Sequence, residues 1–265
     1  MVVAVAGLAT VQDGGRPGHM HEGVPPGGPL VPELLARANA AVGNAAGEAG
    51  LEVVGGLTLA GTAGTVVAGD DGVAARLEEG ATWRLPGGGG RVRYVAIRGG
   101  VDVPRVLGGR GTLLGAGLGG HEGRALRAGD RLSVASRAGA LPTSPPAAPP
   151  LDGAIRVVAG PDLDRFDEAA LPALLQSEFR VDPRSDRVGI RLLGPVLRSP
   201  GGDRGPSAPM LRGAIQVPPS GAPIVLGPDH PTTGGYPVLA MVVASSLGVL
   251  GARPAGAVVR FVAVP

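Results

Sequence analysis

Short apolar runs rich in Val, Leu, Ile and Ala recur along the chain, separated by clusters of glycine and proline. That rhythm is expected of many short strands joined by tight turns. In the N-terminal part it predicts strands over 2–9, 51–60, 64–68, 73–77, 91–98 and 131–136. Residues 32–42 read as a helix. Pro32 opens it, Glu33 suits the positive end of the dipole, and Gly43-Asn44 supplies a stop. In the C-terminal part strands are predicted over 154–159, 187–193, 213–217, 222–226 and 257–264. Helices are predicted over 161–176, opened by Asp162 and Asp164, and over 237–250, the longest apolar stretch. The helices and strands do not alternate as βαβ units, so the expected fold is mainly β with a few helices, mostly antiparallel.

A proline-rich run, LPTSPPAAPP over 141–150, divides the pattern. Proline fixes φ and lacks an N–H, so such a run joins neither a sheet interior nor a helix and acts as an extended connector. The organisation predicted is an N-terminal β subdomain, 1–140, the connector, and a C-terminal β subdomain with helices, 151–265. The 48 glycines and 27 prolines reach a content met in low-complexity chains. Their placement between apolar runs points instead to a turn-rich globular protein. Aromatic residues are only 2% of the chain, so the core must be aliphatic.

Composition narrows the chemistry. All 24 basic side chains are arginines. The absence of lysine excludes Schiff-base chemistry, a P-loop lysine and covalent attachment of biotin to this chain. The absence of cysteine removes disulfides, thiolate nucleophiles and zinc–thiolate sites. The net charge is +2 and the arginines are scattered singly, which disfavours nucleic acid as a partner. The apolar start, Met1 to Ala9, lacks a basic leader and reads as a first strand. The 237–250 stretch is too short for a bilayer and is interrupted by Ser245, Ser246 and Gly248. A cytoplasmic protein without a membrane partner is expected.

Four segments set polar side chains among glycines and prolines: TVQDGGRPG over 10–18 with GVPPGG over 23–28; RGGVDVPRVLGGRGT over 98–112 with GGHEGRALRAGD over 119–130; SDRVGIRLLG over 185–194; and GAIQVPPSGAPIVLGPDHPTTGGYP over 213–237. Asp13 and Arg16 share the first turn. They can hold a carboxylate substrate, since arginine binds carboxylates in bidentate fashion, or tie the turn by a salt bridge. Arg187 opens a predicted strand beside Asp186, where a structural ion pair is the ordinary reading. Gln216 is polar where alternation would bury it, so it needs a partner, either a ligand amide or a backbone group. Asp229 with Thr232, Thr233, Gly234, Gly235 and Tyr236 lies between a predicted strand and the predicted helix from 237. There Asp229 can accept a proton or orient a ligand amide beside an anion-binding helix start, or close an Asx-turn while Thr232 and Thr233 cap that helix. His19 and His21 would share a face if extended, but no third metal ligand is in view and no metal is expected. His121-Glu122 is expected to be solvated. Ser220 sits in a turn, with no Ser/His/Asp constellation around it.

Taken in order, these segments resemble the family of the 5-oxoprolinase C-subunit, also called the KipA or allophanate hydrolase subunit 2 family, and its relative, the carboxyltransferase region of urea carboxylase. The likeness runs from about residue 7 to residue 262 and includes Asn39 and Asn44 ahead of Leu51-Glu52. It implies two cyclophilin-like β-barrel subdomains and a subunit-B-like (KipI-like) partner. In 5-oxoprolinase members it implies a third, ring-opening protein and ATP, shared with the complex, to open 5-oxoproline to L-glutamate. In a urea carboxylase-like system the corresponding region receives a carboxyl group from biotin carried elsewhere. In a KipA-type system it is a regulatory partner that antagonises a kinase inhibitor. The chain departs from the family at Gly27 and Val31, where members often have serine and aspartate. It departs also in the shortened turn Gly109-Arg110-Gly111-Thr112, at Ser246 in place of an aspartate, and at Ala252 in place of a glutamine. The expected site assigns Asp13 and Asp229 to catalysis, and Arg16, Arg187, Gln216, Thr232, Thr233, Gly234, Gly235 and Tyr236 to substrate or nucleotide. Loops from both halves are expected to bring Asp13, Arg16, Gln216 and Asp229 around one cleft.

Overall fold

The longest strands, β1 (Val2–Gln12) and β2 (Gly50–Ala60), pair antiparallel from Val2↔Leu59 to Gln12↔Gly50. Their coordinates come from a computed structural model describing residues 1–88, 90–137, 140–142, 144, 146–199 and 205–264. By its contacts the chain divides into two units: Met1–Pro17 with Gly27–Pro150, and Gly18–Pro26 with Leu151–Pro265. Within the proline-rich run, Thr143 and Pro145 lie outside the described residues.

In the first unit β3 (Val66–Gly69), β4 (Ala74–Arg76), β5 (Thr82–Leu85) and β6 (Arg93–Ile97) complete one sheet. Its order is β1-β2-β6-β3-β4, with β5 paired to β2. Val11, Leu51, Val53, Leu57, Val67, Leu85 and Val95 meet in an aliphatic core. Helix α1 (Pro32–Ala41) packs on β6 and buries Leu35 and Ala38. Its C-terminal end is held by a side-chain network. Asn39 Nδ2 donates to the carbonyls of Ala46 and Glu48, and Asn44 Nδ2 donates to Asn39 Oδ1 and to the Ile97 carbonyl. The Asn39/Asn44 pair of the sequence motif is thereby the fastening of α1 to β6.

The second unit carries β7 (Ile155–Ala159), β8 (Phe179–Val181), β9 (Gly189–Leu193), β11 (Ala214–Gln216), β12 (Ile224–Leu226), β14 (Val238–Val242), β15 (Val258–Val259) and β16 (Phe261–Ala263). The sheet order is β15-β8-β9-β12-β11-β14-β7-β16. All pairs are antiparallel except β16 with β7. The two outermost strands are separated in the chain by Arg260 alone, so the sheet is nearly a closed barrel. Phe179, Phe261, Ile155, Ile215 and Leu239 fill its core, with helices α2 (Ala170–Gln176) and α3 (Ala244–Ala252) attached. A separate ribbon joins β10 (Ala208–Pro209) to β13 (Thr233–Gly234).

Both units are β and mainly antiparallel, as the apolar rhythm predicts, but several elements differ from expectation. The stretch 237–250 is a strand followed by a helix. Val238, Leu239, Ala240 and Val242 are all buried between β11 and β7. A central strand apolar on both faces lacks the alternation that would distinguish it from a buried helix. The helix predicted over 161–176 is broken. A short 3-10 turn, Leu163–Arg165, ends where Phe166 adopts an extended conformation, and the Asp167 N–H goes to the Arg198 carbonyl. Asp162, expected to open that helix, accepts from the Val238 N–H instead. Residues 131–136 contribute one bridge, Val134 to Val101, rather than a strand. Strands β5 and β8 were not predicted; each is short and gains its ladder from a partner distant in sequence.

Candidate functional site

Asp13 stands just past the end of β1, 8% exposed, and its carboxylate accepts three backbone hydrogen bonds. Oδ1 accepts from the N–H groups of Gly15 and Gly111, at 3.0 and 3.1 Å, and Oδ2 from that of Arg110 at 2.6 Å. These bonds sew the VQDGGRPG turn to the GGRGT turn, nearly a hundred residues away. The three N–H donors fix the orientation of the carboxylate. Asp13 is therefore built to position backbone, and it makes no salt bridge with Arg16.

Arg16 is 3% exposed. Its Nη2 donates to the Gly111 carbonyl and its Nε is buried without an acceptor. Beside it, Gln12 spends its amide N–H on Thr10 Oγ1 and the Thr112 carbonyl, while Gln12 Oε1 and Thr112 Oγ1 are left unpaired. Gln12 and Thr112 were not among the expected site residues. A polar side chain at the last position of a buried strand was the available sign for Gln12; nothing in the sequence marked Thr112.

In the second unit Arg187 does form an ion pair, with Asp229, 42 residues further on. Nε and Nη2 meet Oδ2 and Oδ1 at 2.7 and 2.9 Å, and the two side chains are 12% and 8% exposed. The bidentate arginine fixes the orientation of the Asp229 carboxylate. Next to it His230 is 1% exposed, with Nδ1 2.7 Å from the Pro231 carbonyl. Burial pushes its pKa below the usual histidine value, with the charge of Arg212 acting in the same direction. Burial thus favours the neutral ring; Nδ1 faces the Pro231 carbonyl, and Nε2 is buried without a partner. Sequence reasoning missed His230 because nothing in the motif distinguished a buried histidine from a loop one.

Gln216, Thr233, Gly234, Gly235 and Tyr236 come together with Met210 and Pro231 around a small cavity of about 230 Å³. Gln216 Nε2 is fixed by the Met210 sulfur at 2.9 Å and the Tyr236 carbonyl at 3.3 Å. Thr232 does not line this cavity; its carbonyl accepts from the Met210 N–H. The expected helix start after the PTTGGYP segment is absent, because Thr233-Gly234 forms β13 and Pro237 leads into β14. An anion held by a helix N-terminus at this point is thereby overturned. Tyr236 also lines a second cavity of about 550 Å³, with Pro218, Pro219, Arg198 and Asp167.

The remaining candidates are structural. His21 is on a short 3-10 turn, Met20–Glu22, that His19 immediately precedes, and both approach Glu22, at 2.9 and 3.6 Å. His121 is not fully solvated: Nε2 lies 3.5 Å from Asp130, which also pairs with Arg124. That arginine holds the Asp130 carboxyl well below the usual carboxylate range. Ser220 is exposed in its turn and accepts from the Ala222 N–H at 3.4 Å. Ser246, where the family would place an aspartate, is in the first turn of α3 and accepts from the Arg156 N–H.

Residues 22–263 match the family model of the carboxyltransferase domain, subdomain A and B. The C-subunit of 5-oxoprolinase from Escherichia coli (strain K12) is 35% identical, the alignment covering 98% of this chain and 90% of that protein. The crystal structure of TTHA0988 superposes with a TM-score of 0.80 at 33% identity, covering 98% of this chain and 55% of the other. The Kluyveromyces lactis urea carboxylase superposes with a TM-score of 0.83 at 29% identity, covering all of this chain and 27% of the other. The chain therefore spans about half of the first solved protein and about a quarter of the second.

Proposed function

The chain belongs to the carboxyltransferase-domain family, subdomains A and B, and on that footing we propose that it is a subunit of an ATP-dependent 5-oxoprolinase. The observation that carries this reading is its 35% identity to the C-subunit of a 5-oxoprolinase over nearly the full length of both chains. The complex hydrolyses the ring amide of 5-oxoproline, adding water across the C–N bond to yield L-glutamate, with ATP as the driving reaction. The partners are a subunit-B-like (KipI-like) protein and a third, ring-opening subunit, and the assembly works in the cytoplasm. ATP is shared with the complex, since this chain has no lysine to hold a phosphate.

Two polar centres support small-molecule binding. In the second unit Gln216 lines a cavity with Thr233, Gly234, Gly235 and Tyr236, its amide N–H groups held by the Met210 sulfur and the Tyr236 carbonyl. The Arg187–Asp229 pair fixes the loop that enters this segment. In the first unit Arg16 offers positive charge to a substrate anion, and Asp13 holds the turns around it. Asp13 and Asp229 act by positioning rather than by taking protons. The test is co-expression with the two partners and measurement of glutamate released from 5-oxoproline. ATP-dependent release is expected, and its absence from a correctly assembled complex removes the reading.

A second reading, biotin-dependent carboxyl transfer, is favoured by the family model and by the likeness to a urea carboxylase. It requires biotin on another chain. Inhibition of the purified assembly by avidin supports it; indifference to avidin excludes it.

A further inference from the structure

Core side chains are ordinarily sealed by their neighbours, with few voids larger than a water molecule. At one end of the first unit's sheet that seal is missing. Leu59 near the end of β2, Leu77 just after β4 and Ile97 at the end of β6 all belong to the aliphatic core. They keep 5%, 6% and 7% of their surface, and with Leu132 and Val134 they line a cavity of about 350 Å³. Small-molecule sites begin at about 300 Å³.

The lip of the cavity is made of two turns tied by backbone bonds. The Gly64 N–H donates to the Leu77 carbonyl, and the Gly80 N–H to the Gly61 carbonyl. A Cβ on Gly80 would meet nothing within 4 Å, so no side chain closes the lip at that point. Two charged side chains reach the lining, Glu79 and Arg131. Glu79 Oε2 accepts from the Ala63 N–H at 2.8 Å and so braces the first of these turns. Arg131 has no ion pair or side-chain hydrogen bond among the described residues. The uncommitted charge beside this aliphatic cavity is therefore positive.

We infer that this cavity binds an aliphatic carboxylate, its hydrocarbon chain lying on Leu59, Leu77 and Ile97 and its head group paired with Arg131. An arginine at the rim offers two parallel N–H groups to a carboxylate. The chain gains by leaving water, about fourfold in affinity for each methylene that is covered. An aliphatic alcohol lacks the charge and an aliphatic ammonium carries the wrong one, which separates this ligand class from apolar filling alone. None of the residues of the proposed function takes part, so the site stands or falls independently of the 5-oxoprolinase reading.

The test is calorimetric titration of the full chain with butanoate, hexanoate and octanoate. Emission of Trp83, the single tryptophan, gives a parallel reading, since Trp83 faces Leu59 across the β2–β5 pair. Saturable binding at one site per chain is expected, tightening about tenfold or more for each two methylenes. Arg131→Gln should weaken octanoate several-fold and leave octanol unchanged. Val134→Trp, at the exposed rim, should block all three acids at an unchanged Tm. If that variant is unstable, Thr62→Trp on the lip serves the same purpose. The inference is overturned if octanoate gives no saturable binding, or if affinity does not grow with chain length. Octanol or octylammonium binding as tightly as octanoate, or binding that survives the rim substitutions, overturns it equally.

Discussion

Two carboxylates that look catalytic in the sequence are spent on structure. Asp13 gathers three backbone N–H groups and Asp229 a bidentate arginine, so each carboxylate ties together segments distant in sequence. Among the groups left with unused capacity are less conspicuous ones: Gln12, Arg16, Thr112 and His230. His230 makes a prediction about pH. Its pKa is lowered in the folded chain by burial, whereas in the unfolded chain it titrates near 6.5. Below that pH the unfolded state binds a proton that the folded state refuses, so stability declines as pH falls through the unfolded value. The loss levels off once the folded ring is itself protonated. Urea unfolding between pH 7.5 and 5 should show a decline in the natural chain. His230→Gln should flatten it by up to about 1.4 kcal/mol per pH unit. Identical slopes for the two proteins would show that His230 is not the group responsible.

Strand elements were legible where they alternate or are bounded by glycine and proline, as with β1 and β2, and the same punctuation marked α1. Strand β14 was not, because burial on both faces erases the period that separates strand from helix. The ribbon of β1 and β2 depends on one pair of residues. Gly7 faces Gly55 across it, at φ 120° and 96°, and a Cβ on Gly55 would stand 1.9 Å from the Ala6 carbonyl oxygen. Both the backbone conformation and the space demand glycine there. Gly55→Ala should cost about 2 kcal/mol or more, while Gly80→Ala, whose Cβ meets nothing within 4 Å, measures the conformational penalty alone. Denaturant midpoints of the two variants separate the clash from the strain; equal losses would mean that the ribbon yields.

Across the molecule, each unit builds its own core, and in the second the aromatic residues close the sheet. Phe179 on β8 and Phe261 on β16 pack edge to face, with ring centres 6.0 Å apart and planes at 69°. They join strands near the two ends of the sheet order, where no direct ladder links β15 to β16. Phe261→Ala should cost about 3–5 kcal/mol, the usual loss for a fully buried ring. Proteolysis of that unit should accelerate accordingly. A loss below about 1 kcal/mol would show that the ring does not close the barrel.

Composition and local pattern alone determined a β protein with an aliphatic core, a helix at 32–42, and the exclusion of lysine and cysteine chemistry. They also placed the polar residues in glycine- and proline-bounded loops, because those residue types restrict the backbone locally. Only the tertiary structure decided which partner each loop residue meets. Asp13 finds Arg110 and Gly111, and Arg187 finds Asp229, across separations that no local rule spans. A carboxylate's chemistry depends on the donors that reach it, and those are set by how distant segments are brought together in space.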